Sequence, residues 1–222
     1  MIQILQIIAG AVISIFFVIY LEKKKLPLLR CRIEHPPIDL QYTPRHPAMR
    51  HKALRIIVSN KPLNSMLRWC LPRSAALNCK AIITFHHLDG QNVFGRSMNG
   101  RWVSTPQPIP LRGKVGDQEL ILIDEMRFNK VSRVDIYSDD ETALDIAARF
   151  DDDQEAYGWS NDSYFSNPLW RAPQWELPQG RYLVQIRIIS SNTEYIGLYR
   201  LVNDVSIDDF RLEAAQQSDQ VV

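Results

Sequence analysis

A chain of 222 residues with 45% hydrophobic and 23% charged side chains has the composition of a folded domain, not of a disordered chain. Its formal charge of +1 excludes a whole-protein attraction to nucleic acid or anionic lipid. Cys31, Cys70 and Cys79 are odd in number and lack metal-ligand spacing, which argues against a disulfide framework and agrees with a reducing compartment.

The first element is the most sharply marked. Ile2 to Leu21 carries no charge, and Gln3, Gln6 and Ser14 are its polar interruptions. At 1.5 Å per residue a helix of this length spans about 30 Å, the thickness of a bilayer's hydrocarbon core. Phe16, Phe17 and Tyr20 gather at the end where an interfacial aromatic belt would sit. A cleavable signal peptide needs a basic start and a small-residue cleavage site. Neither is present, and Glu22-Lys23-Lys24-Lys25 follows the apolar run instead. The expectation is a transmembrane helix over residues 1–22, in contact with lipid through residues 2–21. Lys23, Lys24, Lys25, Arg30 and Arg32 fall in the window that sets topology. They predict an outside N-terminus and a cytoplasmic C-terminal domain.

Residues 23–52 read as a basic, proline-containing juxtamembrane linker. Pro27, Pro36, Pro37, Pro44 and Pro47 remove backbone donors at spacings that no helix tolerates. From Ala53 the hydrophobic period becomes two. Ala53–Ser59 reads as a strand ended by Asn60-Lys61-Pro62. Ala75–His87 reads as another, with Leu77, Cys79, Ala81, Ile83 and Phe85 on one face. Asp89-Gly90 supplies a turn. A short strand around Trp102 and strands over Gln118–Asp124, Val131–Tyr137 and Thr142–Phe150 follow, the last also readable as a helical turn or two. Arg181–Ile189, with Tyr182, Val184, Ile186 and Ile188 inward, precedes Tyr195–Val202 and Val205–Leu212. This pattern predicts a mainly β domain over 53–212, an antiparallel β-sandwich of about 7–9 strands, and a polar tail over 213–222.

Several short runs carry a resemblance. Ile56-Ile57-Val58-Ser59-Asn60, Ala76-Leu77-Asn78-Cys79-Lys80-Ala81, Arg101-Trp102 and Leu177-Pro178-Gln179-Gly180-Arg181-Tyr182 resemble immunoglobulin-like sandwich domains of prokaryotic membrane-anchored proteins of unknown function. The likeness covers roughly residues 53–212. It implies an immunoglobulin-like fold and a non-enzymatic role, and it transfers no functional residue. The sequence departs from that pattern after Asn60, where Lys61-Pro62 and a longer insertion precede the second strand.

Sequence signatures of chemistry are scarce. The five histidines, His35, His46, His51, His86 and His87, have no zinc spacing, and the acidic triplets at 139–141 and 151–153 lack the alternation of an EF-hand loop. No G-x-S-x-G, P-loop, H-E-x-x-H or dinucleotide glycine pattern occurs. The expectation is no enzyme activity, no cofactor and no metal.

The segment Tyr157–Trp175 stands apart. Tyr157, Trp159, Tyr164, Phe165, Trp170 and Trp175 put six aromatics in nineteen residues, against 9% for the whole chain. Two readings follow: the rings plug the end of the sandwich as core, or they form a recognition surface, since Trp and Tyr dominate interface hot spots. Trp159, Tyr164, Phe165, Trp170, Arg171 and Trp175 are therefore the candidate partner-binding residues, Trp170 foremost. Only Arg171 adds basic character, so nucleic acid is not expected as a partner. The function expected is a membrane-tethered scaffold domain that binds a protein near the cytoplasmic membrane face. The alternatives are a ligand-binding or sensory module with an aromatic loop pocket and, last, a membrane-bound hydrolase.

Overall fold

The structure is a computed structural model that describes residues 2–34, 38–43, 46–69, 71–107, 111–116, 118–122, 125–165, 171 and 173–215. Helix α1 (Ile2–Lys25) runs 24 residues, about 36 Å at 1.5 Å per residue. Its side chains are open to solvent wherever they are described from Ala9 to Tyr20, with Ile13 at 69%, Phe16 at 68% and Phe17 at 60% exposure. Among the described residues no helix is long and apolar enough to cross a membrane. In α1 five of the first eight positions fall outside that description of side chains, whereas the helical backbone is continuous from Ile2.

Two antiparallel sheets make the domain. The first holds, in order, β1 (Leu29–Glu34), β3 (His46–Asn60), β10 (Glu141–Phe150), β11 (Ala156–Gly158) and β12 (Glu176–Leu177). In it β2 (Asp39–Thr43) lies beside β3, and β6 (Arg101–Trp102) beside β10. The second holds β15 (Arg211–Ala214), β14 (Glu194–Val202), β13 (Arg181–Ile189), β4 (Ala76–His86) and β5 (Met98–Asn99), with β9 (Arg133–Ile136) beside β4. A separate hairpin pairs β7 (Leu111–Val115) with β8 (Gln118–Leu122), and short helices α2 (Ser65–Arg68) and α3 (Glu125–Val131) complete the chain. The expected strand over Val131–Tyr137 thus begins two residues late, because the last turn of α3 takes Val131.

Period-two alternation builds the core between the sheets. Leu54, Ile56, Val58 and Leu144 from the first meet Cys79, Ala81, Ile83, Phe85, Val184, Ile186 and Ile188 from the second. Leu77 departs from the expected inward face and is 41% exposed, while its neighbour Ala76 is buried. The cause is a bulge between Ala76 and Cys79, with Asn78 at a φ of 55°. Asn tolerates that left-handed backbone better than most residues, and one inserted residue exchanges the two faces.

A second bulge, between Asp145 and Ala147 of β10, does more. Before it Leu144 points into the core; after it Ala147 does, opposite Leu54, while Ala148 pairs with Ala53 on the outer face. Phe150 is thereby carried outward too, where it forms a separate cluster with Ala53, Ala148, Tyr157 and Trp159. The outer face of the first sheet is thus apolar at this corner and needs a cover.

The stretch expected as a linker over 23–52 contains β1 and β2, and the expected domain start at Ala53 falls inside β3. The proline argument holds in part: the strands run between the prolines, and β1 pairs with β3 along its whole length. Asn60, fully buried, fastens the helix to the sandwich. Its Oδ1 accepts the Leu28 N–H at 3.1 Å, and its Nδ2 donates to Ser74 O at 2.9 Å and Ile136 O at 3.2 Å. The Ser74 N–H donates to Lys25 O at 2.8 Å, and the Arg73 guanidinium donates to Leu26 O. The helix therefore runs into the domain through a bonded joint.

Candidate binding cleft

The described parts of the aromatic segment pack on the domain. Trp159 closes the outer cluster with Phe150 at 6.3 Å between ring centroids. A 3₁₀ turn (Asn161–Phe165) then forms, and a second (Pro173–Trp175) leads into β12. The first turn is built by serines. Ser163 Oγ donates to Gly158 O at 2.8 Å and accepts the Ser160 N–H at 3.2 Å, while Ser160 Oγ accepts the Asp162 N–H at 3.1 Å. Asn161 Nδ2 reaches Ser132 Oγ at 3.3 Å, tying the turn to the end of α3. A Cβ on Gly158 would lie 2.7 Å from Met98 Sδ, so a larger residue there must push the end of the Met98 side chain aside.

Between the two turns and β5 lies a cavity of about 360 Å³, lined by Arg96, Ser97, Asn99, Asp162, Gln174 and Trp175. Trp175 is 2% exposed and meets Phe94 edge-on at 5.1 Å, which in turn meets Phe85 of the main core at 5.5 Å. The Arg96 guanidinium lies 4.3 Å from the Trp175 ring centroid, a cation–π placement. The indole Nε1–H of Trp175 is buried without a hydrogen-bond partner among the described residues. Across the cavity Asp162 accepts the Asn99 N–H at 3.1 Å. Burial pushes the Asp162 carboxyl above the usual carboxylate range, opposed by the Asn99 hydrogen bond and by Arg96 and Lys80. The cleft thus offers a stacked cation, a partly desolvated carboxyl and an aromatic wall. That set suits holding a polar group.

The sequence-predicted residues separate cleanly. Trp159 and Trp175 are buried at 5% and 2% and belong to packing. Tyr164 and Phe165 sit in the first 3₁₀ turn, and their side chains lie outside the described residues, as does Trp170 altogether. Arg171 is bound inward: its guanidinium meets Asp152 at 2.6 and 3.0 Å and Asp153 at 3.2 Å, and lies 4.4 Å from the Phe150 centroid. Arg171 thus clamps the outer cluster. Of the topology cations, Lys23, Lys24 and Arg30 are exposed, Lys25 pairs with Glu22 at 2.7 Å, and Arg32 pairs with Glu141 at 2.8 Å. Among the described residues no group of His, Cys, Asp and Glu is arranged to hold a metal ion.

Arg96, Asn99, Asp162 and Gln174 were not legible as a site. They come from two loops some 60 residues apart and carry no local motif. Comparisons with protein-family models, curated proteins and solved structures give no match. The class defined by the fold is a mainly β domain of two antiparallel sheets, preceded by helix α1 and carrying a polar–aromatic cleft.

Proposed function

We propose that this protein is a membrane-tethered, non-enzymatic binding module whose sandwich presents the Arg96–Asp162–Trp175 cleft to a protein partner at the cytoplasmic face. The observation that carries the reading is α1: a helix exposing Ile13, Ile15, Phe16, Phe17 and Val18 all round, joined to the domain through hydrogen bonds. A surface helix of a soluble domain buries one stripe; a helix apolar on every side belongs in lipid or in a large core. The cations after Leu21 favour a cytoplasmic domain.

The immunoglobulin-like reading has independent support. In the first sheet β1, β3 and β10 are neighbours, and in the second β14, β13 and β4. Those are the positions of strands A-B-E and G-F-C of an immunoglobulin sandwich. Tyr182, at the start of β13, donates from its hydroxyl to Pro178 O at 2.8 Å, four residues upstream, the geometry of a tyrosine corner. The described cysteines, Cys31 and Cys79, are free, so packing serves here where antibody domains place an inter-sheet disulfide.

The cleft is near the lower end of the size range for small-molecule sites, so one side chain of a partner fits better than a whole cofactor. Arg96→Ala and Asp162→Asn in the detergent-solubilised full chain should each abolish retention of a partner that the unaltered chain keeps, a loss of about 2 kcal/mol or more in binding. Trp170→Ala tests the sequence expectation in the same assay. Unchanged retention in the two cleft variants would dismiss the cleft, and a co-purified small molecule lost from both would favour the ligand-binding alternative. For topology, a cytoplasm-dependent reporter fused after Val222 should be active, and neutralising Lys23, Lys24 and Lys25 should scramble it.

A further inference from the structure

Beyond α1, the described residues leave nine large apolar side chains exposed, and six of them crowd one end of the sandwich: Leu26, Leu28, Met66, Trp69, Leu77 and Tyr137. That end is the one fastened to the helix. Lys25 O and Leu26 O are bonded by Ser74 and Arg73, a few residues beyond Trp69. Tyr137 follows Ile136, whose carbonyl is held by Asn60, and its turn returns the Asp139 N–H to Asn60 O at 3.1 Å. Trp69 and Met66 are the most open of the set, at 88% and 87%. They flank Arg68 at the end of α2, itself fixed by an ion pair to Asp139.

The charges at this end are sorted as well. Glu22 is taken by Lys25, Glu141 by Arg32, Asp139 by Arg68, and Asp135 by the Asn78 N–H at 2.8 Å, which leaves Asp140 as the exposed acid of this end with no salt bridge among the described residues. Lys23, Lys24, Arg30 and Lys61 carry no salt bridge among the described residues. Unpaired cations beside exposed Trp, Tyr, Met and Leu are the composition of a surface that meets phospholipid headgroups: the rings and thioether enter the acyl boundary while the cations stay with the phosphates.

We propose that the helix-bearing end of the sandwich is a second membrane-contacting surface, with the stretch 61–69 seated in the bilayer interface through Trp69 and Met66. The proposal rests on α1 spanning the bilayer, which puts this end at the headgroup level. Continuity supplies the occupant: a spanning helix that enters the domain at Lys25 leaves lipid, not water, beside the loop hydrogen-bonded to its last turn. The consequence is mechanical. Two contacts, one spanning and one interfacial, fix the sandwich upright and hold its other surfaces at a set height above the membrane.

The test uses the full chain in vesicles of phosphatidylcholine and phosphatidylglycerol whose acyl chains are brominated, with tryptophan emission as the readout. Trp69→Phe, a mild change at an exposed position, should remove most of the lipid-quenchable emission, while the core change Trp102→Phe should leave the quenched intensity as in the unaltered chain. Equal quenching in Trp69→Phe and the unaltered chain, with both floating with the vesicles, overturns this inference and leaves the spanning helix standing. Failure of the unaltered chain to float with vesicles removes the spanning reading and this one together. An unquenched Trp69 combined with a bound protein that Trp69→Phe loses would overturn the lipid occupant in favour of a protein one.

Discussion

Trp69 and Trp175 both lie in connections between strands, yet one is 88% exposed and the other 2%. Trp175 comes from a segment crowded with aromatics, and the fold spends the described rings of that segment, Tyr157, Trp159 and Trp175, on packing. The bulge in β10 turns Phe150 outward, and Trp159 and Arg171 close over it. Trp175 is drawn into the main core through Phe94. Trp69 comes from an unremarkable loop in which α2 buries nothing. Aromatic density in a loop therefore reports how much apolar surface the loop must cover. An isolated aromatic left in the open, beside the joint to α1, is the better pointer to a contact.

The largest effect that could break this contrast is on folding. Trp175→Ala or Trp159→Ala removes a buried ring and should cost about 3–5 kcal/mol, seen as a lowered midpoint in thermal or denaturant unfolding. If both variants melt like the parent chain, the aromatic segment is not packing. The next effect is on pH. Burial pushes the Cys31 thiol up to about 11, against the hydrogen bonds of Tyr195 and Tyr199, and burial aided by Asp135 pushes Cys79 up to about 11. Both lie in or against the core that holds Trp175. A group whose folded value is raised lends stability that is complete below its unfolded value, near 9.0, and lost as pH rises through the folded one. Stability should therefore fall between about pH 9 and 11, and Cys79→Ser should flatten part of that slope. A flat profile over that window would show that the thiols are not held as described.

Much of this architecture was legible because it rests on period. The inward faces of β4 from Cys79 onward and of β13 follow from alternation alone, and so does the antiparallel two-sheet class. What escaped depends on single residues that break the period. The two bulges exchange faces at Ala76–Cys79 and at Asp145–Ala147, and nothing in the local sequence but Asn78 announces either. The long lead-in looked like a linker because its prolines exclude a helix, yet β1 fits between them and is held by pairing with β3, a contact about 30 residues away. The cleft escaped for the same reason. Its loops meet only through the sheet, and Asp162, which reads as a turn residue, becomes a desolvated carboxyl there.

A smaller effect sharpens the account of how the second sheet is set. Tyr182→Phe deletes the hydroxyl that bonds Pro178 O and leaves the ring buried at 3%. The net worth of such a bond is about 0.5–1.5 kcal/mol, and the melting midpoint should drop accordingly. No change would mean that the Leu177–Arg181 turn is held by its backbone and by Asn203, whose Nδ2 also reaches Pro178 O at 3.1 Å.

The smallest expected effect on folding is the most telling. Trp69→Ala in the detergent-solubilised chain should shift stability by no more than about 0.5 kcal/mol, because an 88% exposed ring has little contact area to lose. The same substitution in Trp175 should cost about 3–5 kcal/mol, so a pair of melting curves separates the two tryptophans without reference to any partner. The contrast strengthens if Trp69→Ala is silent in detergent yet loosens the domain on the membrane, read as faster proteolysis of the 61–69 stretch in vesicles. A destabilisation by Trp69→Ala comparable to that of Trp175→Ala would mean that this ring packs on the sandwich, and the exposed end would lose its strongest reason to face lipid.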